Sequence, residues 1–210
     1  MSKPNATKIM VIRHAEKPDS TLNGVKESGE ASKHDLIVRG WQRAGALVCF
    51  FAPTNGPLQS AKLAQPEYLF ASNPSDDGDQ AGDAGSNGES KSHRPEETIK
   101  PLSEKLNVQI DLTWSKGQET EVAAAAQACD GVVLIAWQHE AIYKIANAIL
   151  GNLSARQTWP QNRFDIVYVF DRDAATVKYS FDQAPQCLLA GDQPEVIQQK
   201  MAAVPESVSL

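Results

Sequence analysis

The sequence predicts an α/β protein, a three-layer sandwich around a mainly parallel central sheet, on three observations. Short apolar, β-branched runs at residues 8–12 and 132–137 read as strands buried on both faces. Segments with apolar residues at helical spacing alternate with such runs through the middle of the chain, the order that covers a parallel sheet with helices. The 210 residues, 41% hydrophobic and 22% charged, suit one ordinary globular domain spanning residues 1–210.

The first strand, Lys-Ile-Met-Val-Ile, ends at Arg13 and His14. Residues 18–33, rich in Gly, Ser, Asp and Glu, read as a loop over one face. Val38, Trp41, Ala44, Leu47, Val48 and Phe51 then recur at helical spacing, and Pro53 stops that helix. A second strand is expected at 68–71. Residues 73–93, low in complexity and full of Gly, Ser and Asp, read as a flexible insertion. Arg94-Pro95 opens a helix, with proline suited to its first turn and Ile99, Leu102 and Leu106 toward the core, although Pro101 inside it counts against a regular helix.

A third strand is expected at 108–112, and 119–129, with four successive alanines, reads as a helix that Gly131 ends. The strand at 132–137 delivers Gln138, His139 and Glu140, and 141–150 returns as a helix closed by Gly151. Strands at 163–170 and 176–181, joined by Asp-Arg-Asp-Ala-Ala, read as a hairpin at the sheet edge.

Twenty-six acidic against twenty basic residues leave a formal charge of −6. That balance disfavours nucleic acid and anionic membranes as partners, so any phosphate binding has to be local. Cys49, Cys129 and Cys187 are far apart, show no zinc-type spacing and read as buried free thiols. With no signal-peptide run and no apolar stretch of about 18 residues, the expected compartment is the cytoplasm.

Chemistry concentrates at three places. Arg13-His14-Ala15-Glu16-Lys17-Pro18 sets an imidazole beside a guanidinium just past a buried strand. A neutral imidazole attacks phosphorus without first losing a proton, and arginine holds two phosphoryl oxygens with a planar fork. On this segment alone a surface His-Arg pair is an equal reading. Arg94 opens a helix whose first amides also favour anions, where a lone arginine is ordinarily a solvated charge. His139 follows the other buried strand, and alone reads as a hydrogen-bonded structural residue.

Together, in this order and strand context, the three elements resemble the histidine phosphatase superfamily, which includes the cofactor-dependent phosphoglycerate mutases and many small phosphatases. Ala15 stands where the family's Arg-His-Gly signature has glycine, and removes no functional group. The resemblance runs from about residue 8 to 170. It implies a phosphoglycerate mutase-like fold and a metal-independent phosphatase, without cofactor, acting on a small phosphorylated substrate or a phosphoprotein. His14 would be the nucleophile, and Arg13, Arg94 and His139 would hold the phosphoryl group.

The proton donor stays open between Glu140 and the pair Glu119 and Glu121, since family members place that carboxyl in either position. Glu16 and Lys17 are secondary candidates that orient the nucleophile's loop. Arg39 and Arg43 read as a solvated or ion-paired helix face, His34 and His93 as loop residues without positional signal. The cluster from Trp159-Pro160 to Arg163-Phe164-Asp165 reads as pocket wall or core. The alternatives are a phosphoglycerate mutase-type phosphoryl transferase and a non-catalytic phosphate-binding regulator.

Overall fold

The computed structural model describes residues 5–74, 92–153, 155 and 159–198. Most of the insertion expected at 73–93 lies outside them.

In chain order the elements are β1 (Lys8–Arg13), β2 (Gly24–Val25), β3 (Ala31–Ser32), α1 (Val38–Phe51), β4 (Tyr68–Ala71), α2 (Arg94–Leu106), β5 (Ile110–Asp111), α3 (Glu119–Ala128), β6 (Val132–Trp137), α4 (Ile142–Leu150), β7 (Ile166–Asp171) and β8 (Asp182–Pro185). Six strands form one sheet in the order β5-β4-β6-β1-β7-β8. β5, β4, β6 and β1 run parallel, whereas β7 is antiparallel to both of its neighbours. The sheet is therefore mainly parallel, with one reversed strand near one edge.

Alternation along the strands divides the core in two. Ile9 and Val11 of β1, Val133, Ile135 and Trp137 of β6, and Tyr168 and Phe170 of β7 face α3 and α4. Met10 and Ile12, Leu134 and Ala136, and Val167 and Val169 face α1 and α2. Because successive side chains of a strand point to opposite faces, a strand apolar at every position needs a helix layer on each side. That is the three-layer arrangement.

Four expectations are corrected. The returning strand of the edge hairpin is β8 at 182–185, not 176–181. An Asp173-centred turn, whose carboxylate accepts the amides of Ala175 and Thr176 at 3.0 and 2.6 Å, and a single bridge from Arg172 to Tyr179 occupy the connection. The expected loop at 18–33 contains the β2–β3 ribbon, tied onward by the Val25 amide on the Leu36 carbonyl at 2.8 Å. The inner face of α1 is turned from the apolar stripe read in the sequence: Gly40, Arg43, Ala44, Leu47, Phe50 and Phe51 are buried, and Val38 is exposed. Finally, Cys49 and Cys187 are exposed and Cys129 is half-buried. Cys49 points outward from α1 because its neighbour Phe50 takes the inward position.

No helix among the described residues is long and apolar enough to cross a membrane.

Candidate active site

The parallel neighbours β1 and β6 are in register from Lys8 opposite Val132 to Arg13 opposite Trp137. Both strands end level, and the His14 amide donates to the Trp137 carbonyl at 3.0 Å. His14 and the Gln138-His139-Glu140 segment thus leave the sheet side by side at its C-terminal edge, where α/β sheets bind ligands.

Arg13 is only 1% exposed. Its Nη1 donates to three carbonyls, those of Pro160 at 3.2 Å, Gln161 at 2.7 Å and Arg163 at 3.1 Å. The guanidinium carbon lies 3.8 Å from the centroid of the Phe164 ring. One nitrogen anchored by three carbonyls and one aromatic face fix the guanidinium plane. Its Nε and Nη2 are buried and meet no acceptor among the described residues. Two adjacent donors left over on a fixed guanidinium make a fork for two oxygens of an anion. Burial lowers the Arg13 pKa to about 10, against the opposing pull of Glu140 and Glu16, so the group is charged at neutral pH.

His14, 3% exposed, places Nδ1 2.7 Å from the Ala15 carbonyl. A carbonyl only accepts, so Nδ1 carries the proton and Nε2 keeps its lone pair. Burial, then the charges of Arg94 and Arg13, push the imidazole pKa well below the ordinary range. The ring is neutral at neutral pH with a free nucleophilic nitrogen.

The loop behind this ring is clamped from two helices. On the α2 side, the Ala15 amide donates to the Thr98 hydroxyl at 2.7 Å, and that hydroxyl donates to the Arg94 carbonyl at 2.6 Å. Arg94 opens α2, and its charge acts on both His14 and Arg13. On the α1 side, the Ile37 amide donates to the Glu16 carbonyl at 3.1 Å. A Cβ added to Gly40 would lie 2.6 Å from that carbonyl oxygen, so Gly40 is what lets the loop cross α1 so closely. Gly40→Ala is expected to push the Ala15-Glu16 backbone away, costing about 1–3 kcal/mol of stability by overpacking and most of the activity. Chemical denaturation and an aryl phosphate assay check both parts.

Glu16 turns away from the pocket. Its carboxylate meets Arg43 Nη2 at 2.8 Å and Arg39 Nε at 3.2 Å, and Arg43 Nη2 also meets Asp192 at 2.7 Å. Arg43, 2% exposed, is ion-paired, one of the two readings the sequence left open; although burial opposes it, its hydrogen bonds to Asp192 and Glu16 raise its pKa. Lys17 stays exposed at the rim, its pKa lowered by partial burial and by Arg94 and Arg13.

His139 Nδ1 lies 2.8 Å from Glu140 Oε2, and Lys116 Nζ lies 2.7 Å from Glu140 Oε1. The close approach of His139 and the hydrogen bond from Lys116 outweigh burial and hold the Glu140 carboxyl well below the usual range. Its charge acts on Arg13 and Lys17. Glu119 is engaged elsewhere. Buried on α3, it accepts the Gly117 amide at 2.9 Å and the Trp137 indole at 3.3 Å, and stands 3.5 Å from Lys144. Glu121 is exposed on the first turn of α3.

Arg13, His14, Lys17, Arg94, Lys116, His139 and Glu140 are thus one electrostatic neighbourhood, rich in cations on a chain of net charge −6. Sequence reasoning missed Thr98 and Lys116, whose partners Ala15 and Glu140 lie far away in the chain with no motif joining them. Among the described residues no group of three or more His, Cys, Asp or Glu side chains gathers as for a metal ion.

No protein-family model matches the chain, and no curated protein matches it. Among solved structures it is similar to the protein histidine phosphatase SixA complexed with tungstate, at 14% identity and TM-score 0.49 over 86% of this chain and 97% of that one. It is similar to a mycobacterial glucosyl-3-phosphoglycerate phosphatase at 11% and 0.48, covering 84% and 97%. It is also similar to a putative alpha-ribazole-5'-P phosphatase from Escherichia coli at 10% and 0.47, covering 85% and 95%. These neighbours are members of the histidine phosphatase superfamily.

Proposed function

We propose that the protein hydrolyses phosphate monoesters through a covalent phosphohistidine on His14, acting on a small phosphorylated molecule or a phosphoprotein. The observation that carries this reading is the pairing of a buried, neutral His14, Nε2 free, with the unpartnered Nε and Nη2 fork of Arg13. In the first step the Nε2 lone pair forms the P–N bond while the ester P–O bond breaks and the leaving oxygen takes a proton from solvent water. Arg13, Arg94 and His139 hold the equatorial oxygens, so catalysis is mainly positioning and electrostatics. In the second step water adds to phosphorus, the P–N bond breaks, and inorganic phosphate leaves.

Glu140, ionised by its partners, is suited to take the proton of the attacking water and to release it to solvent. Glu140→Gln is expected to lower turnover by about 10²-fold, with phosphoenzyme accumulating because the second step suffers most. Rapid-quench trapping of an acid-labile, alkali-stable phosphoenzyme tests the whole scheme. Turnover of an aryl phosphate in chelator without any such species would refute the covalent route.

A further inference from the structure

The carbonyl that orients the nucleophile belongs to the peptide unit joining Ala15 to Glu16. It accepts from His14 Nδ1 at 2.7 Å and so sets the direction in which Nε2 points. On the Ala15 side the chain is held by the Thr98 hydroxyl on the Ala15 amide at 2.7 Å. On the Glu16 side it is held by a side chain. Arg43 Nε donates to both Glu16 carboxylate oxygens at 3.1 Å, and Arg43 Nη2 donates to Oε1 at 2.8 Å. The opposite edge of the same guanidinium meets Asp192, through Nη1 at 3.0 Å and Nη2 at 2.7 Å, and Nη1 also meets Gln186 Oε1 at 3.0 Å. The Arg43 plane is thus gripped by a carboxylate on each side. The side chains of Arg43, Asp192 and Glu16 are 2%, 5% and 9% exposed, so little water competes for these bonds.

Asp192 is itself fixed by residues 186–195. Its Oδ2 accepts the Leu188 and Leu189 amides at 2.8 and 3.1 Å. The Gln186 amide donates to the Asp165 carbonyl and the Gln193 amide to Asp165 Oδ2, both at 2.7 Å, and Arg163 Nη2 donates to the Glu195 carbonyl at 2.7 Å. Arg163 is also one of the three residues whose carbonyls hold Arg13 Nη1. One segment therefore braces both the loop of the nucleophile and the cradle of the Arg13 fork.

We propose that Arg43 and Asp192 are positioning residues for His14: acting through Glu16, they fix the Ala15 carbonyl and with it the direction of the Nε2 lone pair. The proposal rests on His14 being the nucleophile proposed above. Arg43 needs both carboxylates for this role. Held by Glu16 alone, the guanidinium turns with the side chain it is meant to restrain. The Glu16 carboxylate is spent on Arg43 and Arg39, so the clamp bears on the attack and leaves binding of the anion to the Arg13 fork. A displacement of about 1 Å in a reacting group costs on the order of 10²-fold in rate.

Two variants test this in single-turnover phosphorylation by an aryl phosphate, with the affinity for tungstate, a tetrahedral dianion, measured on the same preparations. Asp192→Asn keeps an oxygen for the Leu188 and Leu189 amides and sets an amide donor against Arg43 Nη2. Arg43→Lys keeps the charge between the two carboxylates and loses the planar fork. In each, phosphoenzyme is expected to form about tenfold or more slowly per tungstate-binding site, with tungstate affinity within about twofold of the wild type. A purely structural role predicts fewer sites of normal rate, and in Arg43→Lys a rescue by the retained charge. Glu16→Gln should slow phosphorylation in the same way, and combining it with Asp192→Asn should add little, because both act through one contact. If Asp192→Asn does not fold, Arg43→Lys, which leaves neither carboxylate without a cation, carries the test.

Phosphorylation at the wild-type rate per site in Arg43→Lys or Asp192→Asn overturns the proposal. So does tungstate affinity that falls in step with the rate, which places the damage in the anion pocket. A double variant slowed by the product of the two single effects shows Asp192 acting without Glu16, and also overturns it. If the wild type binds tungstate and forms no phosphoenzyme, the nucleophile reading itself fails, and the role assigned to Arg43 and Asp192 falls with it.

Discussion

His14→Ala is expected to lower phosphate monoester hydrolysis by about 10⁴-fold or more and to remove any trappable phosphoenzyme, with turnover of the intact protein unaffected by chelator. The size of the loss follows from the absence of a substitute. Among the described residues near the pocket, Lys17, Lys116 and the arginines are cationic, and Glu140 is tied to His139 and Lys116. The scaffold should survive, since alanine deletes one ring and leaves the Ala15 carbonyl to be satisfied by water. Unchanged secondary structure by circular dichroism separates lost chemistry from lost fold. The depressed His14 pKa adds a sign. The folded protein keeps the imidazole neutral below the ordinary value of 6.5 while the unfolded chain protonates it, so stability drops as pH falls through and below that value. The nucleophile itself stays active into acid, and turnover should persist at pH 5.5 where an ordinary histidine is mostly protonated.

Arg13→Lys is the second large expected effect, about 10²- to 10³-fold in kcat, even though the charge is kept. A lysine has one nitrogen for what the guanidinium divides between two tasks: Nη1 ties down the carbonyls of Pro160, Gln161 and Arg163, while Nε and Nη2 are left without an acceptor among the described residues. An ammonium that satisfies the carbonyls leaves the pocket without its fork, and one that serves the pocket leaves buried carbonyls unpaired at about 1–3 kcal/mol. Tungstate affinity measured beside urea denaturation distinguishes the two. Weaker binding with intact stability shows the nitrogen spent on the carbonyls, and the converse shows it in the pocket. Full activity in the lysine variant would sink the bidentate role assigned to Arg13.

Much of this arrangement is legible in the chain. Residues 9–12 and 132–137 are apolar at every position, and only a strand covered on both faces accommodates that pattern. Arg13, His14, His139 and Glu140 follow those strands directly, so any fold that pairs the two in parallel brings the four together. Arg94-Pro95 announces a helix start, and α2 begins there. The turned face of α1 and the misplaced return strand were less legible for a common reason. Periodicity registers apolar surface, whereas Arg43 is buried by its partners Glu16 and Asp192, and β8 contributes Asp182, Gln183 and Pro185 to an edge that tolerates polar residues.

The sequence by itself determined the class of fold, the two strand ends that carry histidine, and the residue types available for phosphoryl chemistry, because burial periodicity and backbone preference act over a few neighbouring residues. Only the tertiary structure decided which nitrogen of His14 is free, which nitrogens of Arg13 meet no acceptor among the described residues, and that Glu140 stands ionised between His139 and Lys116. Each of those depends on a hydrogen bond or a charge from residues distant in the chain or on the exact turn of a loop, and on burial that strengthens electrostatics once water is excluded.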